Sequence, residues 1–187
     1  MKVVITGGIG SGKSYVCGLL HERGIEVYDC DAGAKRLMRS SAELQRQLSE
    51  LVGADVYQDG ILQKRVLAKY ILASEENAQQ VDNVVHPAVA RDFEASGYDW
   101  VETAILFESG FDKRIRYDKI VCVTAPFETR VERIMHRDGI SREKSIEWIN
   151  RQMPQDEVSR RCDYVIVNDG RADIDAQLDK ILPEMGF

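Results

Sequence analysis

The chain has 187 residues, of which 44% are hydrophobic and 30% charged, the composition of a globular domain with room for a small insertion. Its formal charge of -6 argues against general binding of nucleic acid or anionic membranes, but it allows a local basic site for a phosphorylated ligand. The four cysteines lack metal-ligand spacing and no apolar run is long enough for a signal peptide or membrane span, so we expect a cytoplasmic protein with reduced thiols.

The first thirty residues have the pattern of a strand, a helix and a second strand. Residues 3–6 are a short apolar run bounded by glycines, which is typical of a buried parallel strand. A helix is predicted to begin at Lys13 and to stop at Gly24, and residues 25–28 form the next strand. Such short connections imply a right-handed crossover and a parallel sheet.

The sequence GGIGSGKS at residues 7–14 joins the first strand to the first helix and matches the phosphate-loop pattern G-x-x-x-x-G-K-S/T. Glycines let successive amides point at a phosphate, Lys13 can reach the β- and γ-phosphates, and Ser14 can bind Mg²⁺. The glycine spacing does not fit a dinucleotide-binding loop. The predicted ATP-binding residues are Gly8, Ile9, Gly10, Ser11, Gly12, Lys13, Ser14 and Tyr15.

Two carboxylates follow the second strand. Asp29 and Asp31 are two residues apart, so we expect only one of them to face the phosphate loop, where it can deprotonate an acceptor hydroxyl or order Mg²⁺ through water. Two solvated turn aspartates are the alternative. Lys35 and Arg36 lie one helical turn later and can either hold an anionic substrate or form an exposed basic pair.

Residues 32–93 contain helical periodicity and no convincing strand. Asp59 and Gly60 mark a turn, and His86 followed by Pro87 is predicted to begin a further helix. Because about sixty helical residues exceed a simple crossover, we predict a helical insertion at the edge of the sheet.

Strands and helices alternate again in the C-terminal half. Residues 100–107 are predicted to form a strand ending in Glu108, and residues 119–124 and 164–167 two more. Amphipathic helices follow, one of them capped by Ser141. The predicted fold class is α/β, a P-loop NTPase-type five-stranded parallel sheet flanked by helices, with a helical substrate-binding insertion and a helical lid.

Missing motifs narrow the class of P-loop protein. No Asn-Lys-x-Asp is present to bind guanine, and the strand at residues 119–124 ends in Thr-Ala-Pro instead of the Asp of a hydrolysing NTPase. These absences favour a small-molecule kinase, in which a carboxylate follows the second strand.

Several segments together resemble dephospho-coenzyme A kinases. The matching segments are TGGIGSGKS at residues 6–14, DCDA at 29–32, HP at 86–87, ILFESGF at 105–111, RDG at 137–139, RQM at 151–153 and DYVIVNDG at 163–170. They cover essentially the whole chain in the family's order. The departures are Tyr15, where the family usually has Thr, and Cys30, where it has Ala; Ser14 and both aspartates are kept.

The resemblance implies ATP-dependent phosphorylation of the ribose 3′-hydroxyl of dephospho-coenzyme A, with Mg²⁺ and without nucleic-acid, membrane or obligate protein partners. It implies a core of residues 1–31 and 100–187, an acceptor-binding insertion at about 32–99 and a lid at about 137–153. The implied catalytic residues are Asp31 as base, Lys13, Arg137 and Arg151, and the implied substrate-binding residues are Asp31, Lys35 and His86.

Some roles stay open at this point. His86 can be a structural cap or a ligand contact, and Glu108 can lie near the substrate or simply end its strand. A nucleoside or nucleoside-monophosphate kinase is the alternative enzyme, disfavoured by the size of the insertion. An NTP-binding regulatory module is disfavoured because Lys13, Ser14 and Asp31 are all present.

Overall fold

The computed structural model describes all 187 residues, which divide into two compact units. The core unit consists of Met1–Tyr28 and Tyr98–Phe187, and the inserted unit of Asp29–Gly97. In chain order the elements are β1 (Val3–Thr6), α1 (Lys13–Glu22), β2 (Val27–Asp29), α2 (Cys30–Ser40), α3 (Ala42–Val52), β3 (Tyr57–Gln58), β4 (Ile61–Leu62), α4 (Lys64–Ala73), α5 (Glu75–Ser96), β5 (Trp100–Glu102), β6 (Lys119–Thr124), α6 (Phe127–Asp138), α7 (Arg142–Asn150), α8 (Gln155–Arg160), β7 (Tyr164–Val167) and α9 (Ile174–Glu184).

The core unit is built on a five-stranded parallel sheet with the strand order β2-β5-β1-β6-β7. The central strand β1 is fully buried, as its apolar sequence predicts, and it pairs with β5 on one side and β6 on the other. On one face, Val16 and Leu20 of α1 and Leu178 of α9 pack in the same apolar cluster as the strands. The carboxyl ends of β1, β5 and β6 therefore meet at one edge of the sheet, where the phosphate loop begins.

A second apolar cluster joins α6 and α7, the first two helices that follow β6. Val131 and Ile134 of α6 and Ile149 of α7 are buried together, and Ile9 of the phosphate loop packs against them. The predicted cap on α7 is confirmed, because the Ser141 side chain accepts a hydrogen bond from the Lys144 amide. These contacts connect α6 and α7 to the loop.

The inserted unit consists of four helices and a short hairpin. The long helix α5 packs against α2, α3 and α4. The predicted turn is confirmed at Asp59 and Gly60, both of which have positive φ, but it connects β3 and β4, so the expectation of no strand in this region was wrong. Two paired residues on each side are too few to produce a strand pattern in the sequence.

Two predicted boundaries were wrong. His86 and Pro87 lie inside α5, which begins after the Ser74 cap and ends at Ser96, so His86 is not a cap at a helix start. Pro87 lies within the helix despite its missing amide. The strand predicted at residues 100–107 ends at Glu102, and the rest of that apolar run forms turns. None of the helices combines the length and apolarity needed to cross a bilayer.

Candidate nucleotide-binding site

The phosphate loop, residues 7–14, connects the carboxyl end of β1 to the first turn of α1. Gly12 precedes α1 in the left-handed conformation (φ 91°), and no side chain caps the helix, so its first amides are available to an anion. A side chain at Gly7 would overlap the Val123 carbonyl oxygen, and one at Gly12 the Asn168 amide nitrogen. Glycine is therefore required at both positions by backbone conformation and by space.

Side chains from α6 and from the residue after β7 hold the carbonyl oxygens of the loop. Arg130 Nε donates to the Ile9 oxygen (2.8 Å), and Arg133 Nη1 donates to the Gly10 and Ser11 oxygens (3.3 and 3.2 Å). Asn168 Nδ2 also donates to the Ser11 oxygen (2.9 Å). This pattern fixes the conformation that the loop needs to present amides to a phosphate. The sequence suggested no role for these three side chains.

The segment after α7 contacts the loop from another direction. Gln152 Oε1 accepts a hydrogen bond from the Ile9 amide (2.7 Å), and Glu108 Oε1 accepts one from the Met153 amide (2.8 Å). The role of Glu108 was left open by the sequence. Because β5 ends at Glu102, Glu108 does not end a strand, and its hydrogen bond anchors the residues that follow α7.

Lys13 is almost fully buried, and it contacts the loop and the neighbouring strand. Its Nζ donates to the Gly7 oxygen (2.8 Å) and lies 3.5 Å from Glu102 Oε1 at the end of β5. Glu102 was missed because the apolar run was predicted to continue to Phe107. The sequence feature that could have identified Glu102 is a charged residue within an otherwise mostly apolar run.

Ser14 and Tyr15 lie in the first turn of α1, and both are exposed. The chain contains no group of three or more His, Cys, Asp or Glu side chains suited to a metal. These residues can therefore hold Mg²⁺ only in the arrangement usual in kinases. In that arrangement the Ser14 hydroxyl would be one ligand, and phosphate oxygens and water would supply the others.

The two aspartates where β2 ends and α2 begins have different surroundings in the inserted unit. Asp29 caps α2, its Oδ1 accepting a hydrogen bond from the Ala32 amide (2.9 Å). Asp31 lies in the first turn of the same helix with an exposed side chain. Capping explains the presence of Asp29, and Asp31 remains the candidate base.

Of the two predicted substrate-binding cations, Lys35 lines a cavity of about 700 Å³ in the inserted unit. The cavity wall is mostly apolar with basic side chains, formed by Lys35, Met38, Arg39, Gly60, Ile61, Leu62, Lys64, Leu67, Ala68 and Ile71. Arg36 instead forms an ion pair with Asp92. His86 does not line this cavity; its Nε2 lies 3.5 Å from Asp82 Oδ1 on the preceding turn.

The two arginines predicted to act from the lid are exposed. Arg137, in the last turn of α6, pairs with the adjacent Asp138 (2.7 Å), which raises the pKa of the guanidinium. Arg151, just after α7, pairs with Glu147 one turn earlier. Both guanidinium groups therefore lie in solvent near the ends of α7, and their catalytic roles remain predictions.

Comparison with known proteins assigns the family. A family model described as dephospho-CoA kinase matches residues 1–173. The chain is 40% identical to the dephospho-CoA kinase of Bacteroides fragilis, over 97% of this chain and 91% of the relative. It is 39% identical to that of Porphyromonas gingivalis, over 90% of this chain and 86% of the relative.

Solved structures give the same fold. A Thermus thermophilus protein, TT1252, aligns with a TM-score of 0.77 at 35% identity, covering 99% of this chain and 97% of that one. A dephospho-CoA kinase from Campylobacter jejuni aligns with a TM-score of 0.66 at 23% identity, over 99% and 98% of the two chains. A shikimate kinase from Acinetobacter baumannii shares the fold at 14% identity with a TM-score of 0.59, over 99% and 93%.

Proposed function

This chain belongs to the dephospho-coenzyme A kinase family, and from that membership we propose how its residues carry out the family's reaction. The reaction is the ATP-dependent conversion of dephospho-coenzyme A to coenzyme A, the last step of coenzyme A synthesis. The observation that carries the assignment is the match of the family model over residues 1–173, which include the phosphate loop and the whole inserted unit.

ATP binds at the phosphate loop in this proposal. The loop amides and the uncapped first turn of α1 bind the phosphates, and Lys13 exchanges its contact with the Gly7 carbonyl for phosphate oxygens. Mg²⁺, held through Ser14, would neutralise charge on the β- and γ-phosphates. Because Lys13 is buried, its charge acts in a low dielectric and stabilises the transferring phosphoryl group more strongly than in water.

The acceptor binds in the inserted unit. The cavity lined by Lys35 has an apolar wall suited to the pantetheine arm, and its basic side chains suit the diphosphate of dephospho-coenzyme A. A volume of about 700 Å³ is in the range of small-molecule sites. His86 lies outside the lining of this cavity, and we keep it as a candidate contact with another part of the acceptor.

Asp31 acts as the general base and accepts the proton of the ribose 3′-hydroxyl as its oxygen attacks the γ-phosphorus. Its exposed carboxylate in the first turn of α2 supports this role, because Asp29 already serves as the helix cap. Arg137 and Arg151 approach the transferring phosphate when the lid closes, supplying positive charge and excluding water. We propose that the protein works in the cytoplasm on this small molecule without an obligate protein partner.

The neighbouring aspartates provide a matched experimental pair. Asp31→Asn removes the base, and we expect kcat to fall by about 10²–10⁴-fold while the Kd for ATP changes little. Asp29→Asn keeps an oxygen that can cap α2, since Asn is as good an N-cap as Asp, and should retain near-wild-type kcat. The measurement is ADP release with saturating dephospho-coenzyme A. Near-wild-type turnover by Asp31→Asn would remove Asp31 as the base.

A further inference from the structure

Arg130 is a buried cation without a carboxylate partner. It is 5% exposed, lies in α6 beside the phosphate loop and forms no ion pair with any Asp or Glu of the chain. Burial lowers the pKa of its guanidinium. A buried charge without a partner is expensive, so its presence requires an explanation beyond packing.

Arg130 and Gln152 bind the two peptide groups on either side of Ile9. The Arg130 Nε donates to the Ile9 carbonyl oxygen (2.8 Å), and the Gln152 Oε1 accepts from the Ile9 amide (2.7 Å). The two hydrogen bonds act on successive peptide groups of the loop and restrict its rotation. One of the two side chains belongs to α6 and the other to the segment after α7, so both of these parts of the chain contribute to the shape of the loop.

The same guanidinium explains why residue 8 is glycine. The φ of Gly8 is not positive, so its backbone would accept a side chain. A Cβ at this position would overlap Arg130 Nη2 and would lie 3.0 Å from Cζ and 3.1 Å from Gln152 Oε1. Gly8 therefore leaves space for the guanidinium directly against the loop backbone.

We propose that Arg130 is a positioning residue of the phosphate loop that also contributes to nucleotide affinity, because the polyphosphate supplies the negative charge that the protein does not. It holds the Ile9 carbonyl away from the phosphates and adds a desolvated positive charge next to the loop. The inference deepens the proposed function, since it concerns the nucleotide of that same reaction.

The test compares Arg130→Met and Arg130→Lys with Arg160→Met, which removes an exposed arginine of α8 in the same unit. ATP binding is measured by calorimetry on the full chain without acceptor, and thermal melting of the nucleotide-free protein is measured in parallel. We expect Arg130→Met to weaken ATP binding at least tenfold with an unchanged or higher melting temperature. Arg130→Lys should recover part of the affinity, and Arg160→Met should bind within twofold of wild type.

Three results would overturn the proposal. The first is wild-type ATP affinity in Arg130→Met. The second is a loss of affinity that accompanies a lower melting temperature or failure to fold, which is how a purely structural arginine behaves. The third is Arg130→Lys binding no better than Arg130→Met, since the charge would then contribute nothing. Because no acceptor is present, these results do not depend on the identity of the acceptor.

A double-mutant cycle tests the contact with Gly8 separately. Gly8→Ala should weaken ATP binding at least tenfold in the wild type, because the new methyl group displaces the guanidinium. In an Arg130→Ala background, where that space is free, the same change should cost less than threefold. An equal cost in both backgrounds would show that Arg130 does not act on the loop at Gly8.

Discussion

At the scale of single residues, the candidate site depends on cations in different surroundings. Lys13 and Arg130 are buried beside the phosphate loop, whereas Arg137 and Arg151 are exposed and paired with neighbouring acids. Solvent screens the electrostatic attraction between a buried cation and a bound polyphosphate only weakly. The attraction from an exposed cation is screened until water is excluded. Lys35 belongs to neither group, since it lines the cavity of the inserted unit.

Lys35 provides a prediction about the acceptor. Lys35→Ala should raise the KM for dephospho-coenzyme A about tenfold and leave the KM for ATP within twofold, because it removes one charge-assisted contact to an anionic substrate. Initial rates at varied concentrations of each substrate measure both constants. Lys69→Ala is the matched control, an exposed lysine of the same unit that does not line the cavity. Equal effects of the two variants on the acceptor KM would contradict the assignment.

The residues of the phosphate loop could be predicted from sequence because their pattern is short and continuous. Glu102, Arg130 and Gln152 could not be predicted, because each reaches the loop from a different element and only packing brings them together. Gln152 lies in a segment that resembles the family, but no role for it could be inferred from the sequence pattern.

At the scale of elements, the loop contacts side chains from β5, from α6, from the segment after α7 and from the residue after β7. A separate contact joins two strands near the opposite end of the sheet. Asp163 joins the starts of β6 and β7: its Oδ2 accepts from the Ile120 amide (2.8 Å) and its Oδ1 lies 3.0 Å from Lys119 Nζ. Burial raises the pKa of Asp163, but these hydrogen bonds outweigh it and lower the pKa below its ordinary value of 3.8.

This depressed pKa predicts a pH-dependent contribution to stability. The folded state favours the ionised carboxylate, so the contribution is complete above the ordinary value near 3.8 and is lost as pH falls through the lower folded value. Asp163→Asn should reduce the free energy of unfolding in urea by about 1 kcal/mol at pH 7, because charged hydrogen bonds are worth more than neutral ones but this pair is partly screened.

The difference between Asp163→Asn and the wild type should shrink below about pH 4. Glu184→Gln, which removes an exposed carboxylate at the end of α9, is the control and should unfold like the wild type at pH 7. A stability difference that stays constant from pH 7 to pH 3 would contradict the electrostatic role of Asp163.

Most core elements were predicted correctly because their patterns are local. The run before the loop, the Gly24 stop and the strand at residues 164–167 are examples. The exceptions depended on tertiary structure. The apolar run after β5 bends into turns, Pro87 lies inside a helix, and the hairpin is too short for a pattern.

At the scale of the whole molecule, the chain inserts a helical unit of its own into a nucleotide-binding core. The core carries the phosphate loop and the helices α6 and α7, and the inserted unit carries Asp31 and the cavity beside Lys35. The size of the inserted unit favours a large acceptor over a nucleoside, and family membership names that acceptor.

The most direct test of this account is acceptor-dependent turnover by the full chain. ADP release is followed with ATP and Mg²⁺ in the presence of dephospho-coenzyme A, AMP, shikimate or gluconate, and the products are identified by mass spectrometry. We expect rapid turnover with dephospho-coenzyme A alone, and a product heavier by one phosphoryl group that matches coenzyme A. A rate with dephospho-coenzyme A no higher than with the other three acceptors would contradict it.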